Sequence, residues 1–529
     1  MKGTVHTLAT TIALGIVSIA GCAGDEAANA EMGSYNDNTG YYPEADLAVA
    51  HAEDMNRERY DDVGTNPFVV AAHDPFSTFA ADVDTASYDI FRRDITDSRL
   101  PDPSSVRLEE FVNYFDYRYP APTAADPHPF IISLDAAPNF LDDTTTLLRV
   151  GIQAEAAPAK KPANLVFLID VSGSMTDANK LPLVKTVLSK TLDVLDPDDT
   201  VSIVTYASDT GVRLPPTPVS DKSTILAKID GLASGGSTAG ASGIQLAYEQ
   251  AERAFLEGGI NHVILCTDGD FNVGPSSTTE LVSLIEEKRT TGITLTVLGF
   301  GYGNLNDAMM EQVSNAGNGI YAVIASESQA ERYVEKRMLS TIYHVAKDMK
   351  IQVEFNPDQV EAYRLLGYEN RAIADDDFRD DAVDGGEVGA GHRVTALYEI
   401  VSAGGEIPSP EGAPTIEDGD PVEGDREIAG EEMVRVKVRY KQPGASDEDE
   451  ASEVFETLVP DDISASAWSL DEDYQWAVSV AAFAEILKGS PFRGNNDLAA
   501  IEDVVSAATW LDGDREEFKH LFETAKRFL

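Results

Sequence analysis

The sequence predicts a multidomain α/β protein. Its centre is a mainly parallel sheet covered by helices on both faces, with a small α+β unit ahead and a β-rich domain and a helical region behind. Three patterns predict this. Between residues 160 and 345, short apolar or β-branched runs alternate with segments of helical spacing, as in a sheet wound with crossover helices. After Met349, strand patterns dominate to about residue 460, and helical spacing returns over 461–529. The chain has 529 residues, 43% apolar and 25% charged, which supports several cores of ordinary size and excludes a disordered or fibrous chain.

In chain order, Lys2 and His6 precede an apolar stretch over 8–20, too short to span a bilayer but suited to the core of a secretory signal. The stretch ends in Ile19-Ala20-Gly21-Cys22, which resembles the bacterial lipobox. That resemblance implies removal of residues 1–21 and lipidation of Cys22. Several acyl chains, at about 0.8 kcal/mol per buried CH₂, then hold the protein to a membrane where one chain would not. Ala23 is not the Asp that retains enteric lipoproteins at the inner membrane, so the resemblance implies export, an outer-membrane anchor and an extracytoplasmic folded part. Residues 22–70 read as a flexible tether.

The unit over 71–155 carries helical patterns at 87–97 and 104–114 and strand-like runs at 129–135 and 144–153. In the central domain over 160–345, strands are expected at 165–169, 201–206, 262–266 and 294–300. Helices are expected between them at 181–195, 223–232, 241–256 and 278–289. The β-rich domain over 346–460 offers runs at 350–355, 360–366, 392–401 and 433–440, separated by acidic loops at 375–387 and 406–427 that read as too polar to pack. In the helical region, Ser469 and Glu472 form a capping-box pattern. Trp476, Val480, Phe483 and Leu487 line one face before Gly489, and two further helices follow near 497–510 and 514–528.

Charge and cysteine content narrow the partners. An excess of 51 negative charges repels a phosphate backbone, so nucleic acid is excluded as a partner class. The chain has two cysteines, Cys22 and Cys266; with the first lipidated, no structural disulfide is expected and the folded part must rely on its core and on metal.

The chemistry concentrates in three loops. Asp170-Val171-Ser172-Gly173-Ser174 directly follows the buried run 165–169, at the carboxyl end of a strand where open α/β sheets bind ligands. Alone it could be a helix cap or a tight turn. Gly235-Gly236-Ser237-Thr238 precedes the helix near 241, and Thr267-Asp268-Gly269 ends the run 262–266. Together these loops can present the carboxylates of Asp170 and Asp268 and the hydroxyls of Ser172, Ser174 and Thr238 to one point. That all-oxygen set suits a hard divalent cation.

These residues match the metal-ion-dependent adhesion site of von Willebrand factor type A domains, D-x-S-x-S with a separate Thr and a separate Asp, at all five positions. The resemblance implies a doubly wound Rossmann-like domain holding Mg²⁺, or Mn²⁺ or Ca²⁺ in its place. It also implies a protein partner that offers an acidic side chain to the metal. The order of the flanking regions, with Asp82-Val83-Asp84-Thr85-Ala86-Ser87-Tyr88 ahead, resembles the bacterial YfbK-type lipoproteins. A cation held mostly by hydroxyls stays electrophilic and can open a position to a partner's carboxylate. Adhesion, scaffolding and envelope assembly all fit. A structural envelope protein with a purely stabilising metal is the alternative, and an envelope hydrolase the third reading.

No enzymatic activity is expected. No G-x-S-x-G elbow surrounds either serine, and His262 begins the strand that Asp268 ends, so it belongs at the opposite edge of the sheet. The tract 82–85 has its Thr one position too early for a D-x-D-x-T phosphatase motif and reads as a polar turn into a helix. Gly301 and Gly303 follow a strand but lack the third glycine of a dinucleotide fingerprint.

Overall fold

The computed structural model describes residues 58–529 apart from 82–83, 143, 157–160, 237–240, 270–277, 382, 384, 420–425, 429, 444, 446–449 and 494–497. The expected signal segment, Cys22 and most of the tether lie outside the described residues, as does Thr238.

The leading segment contributes β1 (Val69–Val70), β2 (Phe76–Ala80), α1 (Ala86–Thr96), α2 (Leu108–Val112), β3 (Phe130–Pro138) and β4 (Thr146–Ala154). The central domain follows as β5 (Ala163–Asp170), α3 (Leu181–Val194), β6 (Thr200–Tyr206), β7 (Thr210–Pro218), α4 (Lys222–Asp230), α5 (Ala241–Arg253) and β8 (Ile260–Thr267). It continues through α6 (Thr278–Arg289), β9 (Thr294–Phe300), α7 (Asp307–Ala316), β10 (Tyr321–Ile324), α8 (Glu327–Lys336) and α9 (Met338–Ile342).

The central sheet runs β10-β9-β8-β5-β6-β7, parallel throughout except for the antiparallel edge strand β7. Every residue of β5 is buried. With a side-chain period of two, Leu165, Phe167 and Ile169 face a core shared with α3, α4 and α8, while Val166 and Leu168 face one shared with α5, α6 and α7. Burial on both faces is why the sequence shows a continuous apolar run here, and it makes the doubly wound class a finding. The edge strand β7 escaped the sequence reading because Pro215, Pro216 and Pro218 break its pattern; such residues are tolerated only where one side of a strand is unpaired.

The trailing region holds β11 (His344–Phe355), β12 (Val360–Leu366), β13 (Gly386–Gly389), β14 (Arg393–Ser402), β15 (Val434–Lys441), β16 (Ser452–Leu458), α10 (Glu472–Lys488), α11 (Leu498–Ala507) and α12 (Gly513–Ala525). Its strands pair with those of the leading segment. One sheet runs β1-β12-β14-β4-β3; the other runs β13-β11-β15-β16, with β2 paired to β11. The expected α+β unit over 71–155 is therefore half of a composite body whose other half is 346–529, and the central domain is inserted between them. The physical reason is that β3 and β4 alone make a two-stranded hairpin, marginal in water, and β14 completes the sheet along eight residue pairs.

The helices are shared in the same way. Tyr88 and Phe91 of α1 and Phe111 of α2 pack with Trp476 and Phe483 of α10 and Phe518 and Phe522 of α12 in one aromatic core. Ion pairs tie this body to the central domain: Arg107 to Asp307 at 2.6 Å, Arg371 to Glu311 at 2.7 Å, and Arg332 of α8 to Asp514 at 2.7 Å and Glu517 at 2.8 Å. Asp84 of the 82–85 tract also serves this junction. Asp84 Oδ1 accepts from the Tyr321 N–H at 2.8 Å, at the start of β10.

Three local expectations are corrected. The helix pattern at 104–114 resolves into a 3₁₀ turn at Pro103–Ser105, capped by Asp102, and the short α2. The N-cap of α10 is Asp471, which accepts from the Tyr474 N–H at 2.7 Å, and not Ser469. The acidic loop 375–387 packs: Phe378 is buried, Asp375 accepts a 2.5 Å hydrogen bond from Thr78, and Lys350 donates to the Asp380 carbonyl.

Candidate metal centre

Because β5, β6 and β8 are parallel and in register, their carboxyl ends meet at one edge of the sheet. Asp170 stands opposite Tyr206 of β6, and Ile169 stands opposite Cys266, two residues before Asp268. The turn after β5 is held by its own side chain: Asp170 Oδ1 accepts from the Ser172 N–H at 2.7 Å. This leaves the Ser172 and Ser174 hydroxyl oxygens 2.9 Å apart. Met175 is fully buried beneath them and fixes the 3₁₀ turn Gly173–Thr176 to the core.

The second loop is stitched to the first by backbone. The Gly235 N–H donates to the Val171 carbonyl at 2.7 Å, and the Gly173 N–H to the Gly236 carbonyl at 3.0 Å. Gly236 has φ +93°, and a Cβ there would lie 2.5 Å from Ser208 Oγ, so glycine is required by both conformation and space. The strand of chain leading into Thr238 is thus drawn against the Ser172–Ser174 turn.

The third loop brings Asp268, which is buried beside a lysine absent from the sequence reading. Lys180 Nζ lies 3.1 Å from Asp268 Oδ2 and 3.2 Å from Asn304 Oδ1. Its stem runs over Gly301, where a Cβ would come within 2.6 Å of Lys180 Cγ. That is the purpose of a glycine with φ +81° at the end of β9, a tract the sequence offered only as an incomplete nucleotide motif. A single Lys six positions after Ser174 carries no distinguishing signal in a linear reading. The loop bearing Asn304 is pinned by the first described residues: the Gly303 N–H donates to Glu58 Oε1 at 2.9 Å, Arg59 N–H to the Leu305 carbonyl at 2.9 Å, and Asp307 N–H to the Arg59 carbonyl at 3.1 Å.

The structure thus gathers Asp170, Ser172, Ser174 and Asp268 on one sheet edge. The electrostatics fit a cation. Burial pushes the Asp170 carboxyl up to about 6; two hydrogen bonds from Ser172 oppose the shift, Asp268 adds to it, and the Tyr206 hydroxyl tempers it. Its Oδ2 is buried without a hydrogen-bond partner of ordinary geometry among the described residues. An orphaned carboxylate oxygen beside paired hydroxyls is the donor set of a hard divalent ion, and the Lys180 ammonium offsets one of the two carboxylate charges. Cys266, buried in the core with its thiol pushed well up by desolvation, takes no part.

Comparison with known proteins gives the family. The model of the von Willebrand factor type A domain matches residues 164–337, a von Willebrand factor model matches 54–149, and the model described as uncharacterized protein YfbK, C-terminal, matches 340–528. The uncharacterized protein YfbK of Escherichia coli K12 is 36% identical over 490 residues, covering 91% of this chain and 83% of that one. The chain belongs to the YfbK family of von Willebrand factor type A proteins.

Two further likenesses cover about a third of this chain. The uncharacterized protein sll0103 of Synechocystis is 27% identical over 35% of this chain and 43% of its own length. Human inter-alpha-trypsin inhibitor heavy chain H4 is 28% identical over 32% of this chain and 19% of its own. Among solved structures, a von Willebrand factor type A protein from Catenulispora acidiphila covers 76% of this chain at 15% identity with a TM-score of 0.44. The junctions at 149–164 and 337–340 between family models coincide with the points where the YfbK-family chain enters and leaves the inserted domain.

Proposed function

We propose that the protein captures a partner protein through a divalent cation held by Asp170, Ser172, Ser174, Thr238 and Asp268, the partner supplying an acidic side chain to the metal. When bound, the cation supplies Lewis acidity toward a carboxylate; the chain's own residues orient it and exclude water from its inner side. One observation carries the reading. The Oδ2 of Asp170, buried and without a hydrogen bond of ordinary geometry among the described residues, and the Ser172–Ser174 hydroxyl pair sit at the end of a strand, beside a solvent-exposed Gly173. Lys180 supports it by leaving the centre with little net negative charge, so that a cation there keeps its attraction for an incoming anion.

The hydrolase reading loses support from position. His262 lies near the start of β8, with its Nδ1 2.5 Å from Thr294 Oγ1, a strand's length from the serines. We further propose that Cys22 is lipidated and that the folded part is extracytoplasmic at the outer membrane, on the lipobox-like run alone.

Titration calorimetry with Mg²⁺ and capture from envelope extract in Mg²⁺ against chelator test the proposal. Asp170→Ala is expected to abolish both while the circular dichroism spectrum is retained. Metal binding without any metal-dependent partner would favour the purely stabilising ion, and partner capture unaffected by chelator would refute the metal-bridged reading. Palmitate labelling lost on Cys22→Ser checks the anchor.

A further inference from the structure

Beside the metal face lies a groove of about 410 Å³ lined by Val171, Thr205, Arg213, Lys228 and the turn Gly231–Ala233. It is continuous with the metal loops. Val171 directly follows Asp170, and the Gly231–Ala233 turn runs into Gly235, whose N–H bonds the Val171 carbonyl.

Two basic side chains of this groove stand outside the ion pairs of the described residues. The chain carries 51 excess negative charges, and basic side chains nearby are paired: Lys190 with Glu331, and Lys222 with Asp193. Arg213 and Lys228 are exposed and make no ion pair with a carboxylate among the described residues. Arg213 is oriented instead by its Nε, which donates to the buried Thr205 hydroxyl at 2.9 Å; its Nη groups have no partner among the described residues. Lys185 adds a third cation at the rim. It donates to the Asp230 backbone carbonyl at 2.9 Å, next in sequence to the Gly231–Ala233 turn that lines the groove.

In a chain this acidic, an anionic partner is repelled at long range, and two unpaired cations beside a metal loop form a local exception. A guanidinium held by its Nε still offers its Nη edge to a carboxylate. We infer that the groove is a second anion subsite, and that the partner's docking segment is an acidic peptide with two carboxylates, one for the cation and one for Arg213 and Lys228. This rests on the metal-bridged reading above and specifies its partner.

The test uses the full chain and two fluorescent Gly/Ser peptides, one with a single Glu and one with two Glu at spacings of two to six residues. In Mg²⁺ the best two-Glu peptide is expected to bind about fivefold tighter than the one-Glu peptide, the size of one exposed ion pair. Arg213→Ala/Lys228→Ala should bring that ratio down to the roughly twofold statistical advantage of two equivalent carboxylates, without changing one-Glu binding or Mg²⁺ affinity. Arg213→Glu/Lys228→Glu should reverse it. A ratio unchanged in both double variants overturns the subsite while leaving the metal-bridged reading standing. If neither peptide distinguishes Mg²⁺ from chelator, the metal-bridged reading itself falls. Displacement by an oligonucleotide of equal charge as effective as by peptide would overturn the assignment to an acidic protein segment.

Discussion

The two ends of the central sheet carry opposite chemistry on the same strands. At the carboxyl end, β5 and β8 finish in buried aspartates, left-handed glycines and small hydroxyls. At the amino end, β8 begins with the fully buried His262, and the composite body closes over it with the half-buried His344 and His392. All three imidazoles are pushed down by burial, to about 3 for His262, 4 for His344 and 3 for His392. His344 adds repulsion toward the other two, and Arg337 and Arg393 act on His392. His262 bonds Thr294, His344 Nε2 meets the Thr341 carbonyl at 3.1 Å, and His392 Nδ1 accepts from the Gly389 N–H at 3.1 Å. The difference teaches where charge is tolerated. Burial keeps the three imidazoles of the amino end neutral, while the carboxyl end holds buried carboxylates that a cation, a lysine or solvent stabilises.

The largest expected effect acts on the covered end. A histidine with a lowered folded pKa contributes stability that is complete above its unfolded value near 6.5 and is lost as pH falls toward 3–4. Over that window the raised Asp170 and Asp375 carboxyls act in the opposite sense, so the histidine term is read as a difference between variants: His262→Gln should make the pH slope of urea-unfolding stability between pH 6 and 5 shallower by up to about 1.4 kcal/mol per unit. An unchanged slope would show that the two ends do not differ as described.

Next is Asp170→Ala at the open end, which is expected to weaken Mg²⁺ binding more than 100-fold by calorimetry, beyond the about 10–100-fold typical of outer-shell changes. Without metal the variant's melting temperature should change little, because relief of a carboxylate disfavoured by burial offsets the loss of its hydrogen bond from the Ser172 N–H. Third, Lys180→Met removes the partner of a buried charge. It should destabilise the metal-free protein by about 3 kcal/mol, and Mg²⁺ should restore much of that loss because the ion can take over the neutralisation of Asp268. Equal destabilisation with and without Mg²⁺ would place Lys180 outside the centre. The smallest effect is Gly236→Ala, expected to lower stability by about 1–2 kcal/mol and to weaken metal binding modestly, read as a shift in melting temperature and in calorimetric affinity.

Much of the fold and part of the centre were legible because they depend on local pattern. The run 165–169 had to be a doubly buried strand, and a carboxylate with two serines after it had to lie at a strand end. The two-residue β1 and four-residue β10 are too short to leave a period, and β16 is mostly exposed, with Phe455 61% accessible. The composite body was illegible for a deeper reason: the alternation in 130–154 states that a strand has a buried face but not which strand, some 240 residues away, lies against it. Lys180 was missed because its meaning comes from Asp268 and Gly301, distant in sequence. The loop 375–387 was misread because Phe378, Asp375 and Lys350 bury a tract whose composition is that of a solvated surface.

The grip of Glu58 and Arg59 on the loop from Gly303 to Asp307 has a mechanical consequence. Whatever holds the chain ahead of residue 58, a pull from that side enters the folded part at these two residues and loads the segment that seats Asn304. Asn304 shares the Lys180 ammonium with Asp268. A load entering there would reach the Lys180 ammonium, and through it Asp268, by way of the Asn304 loop.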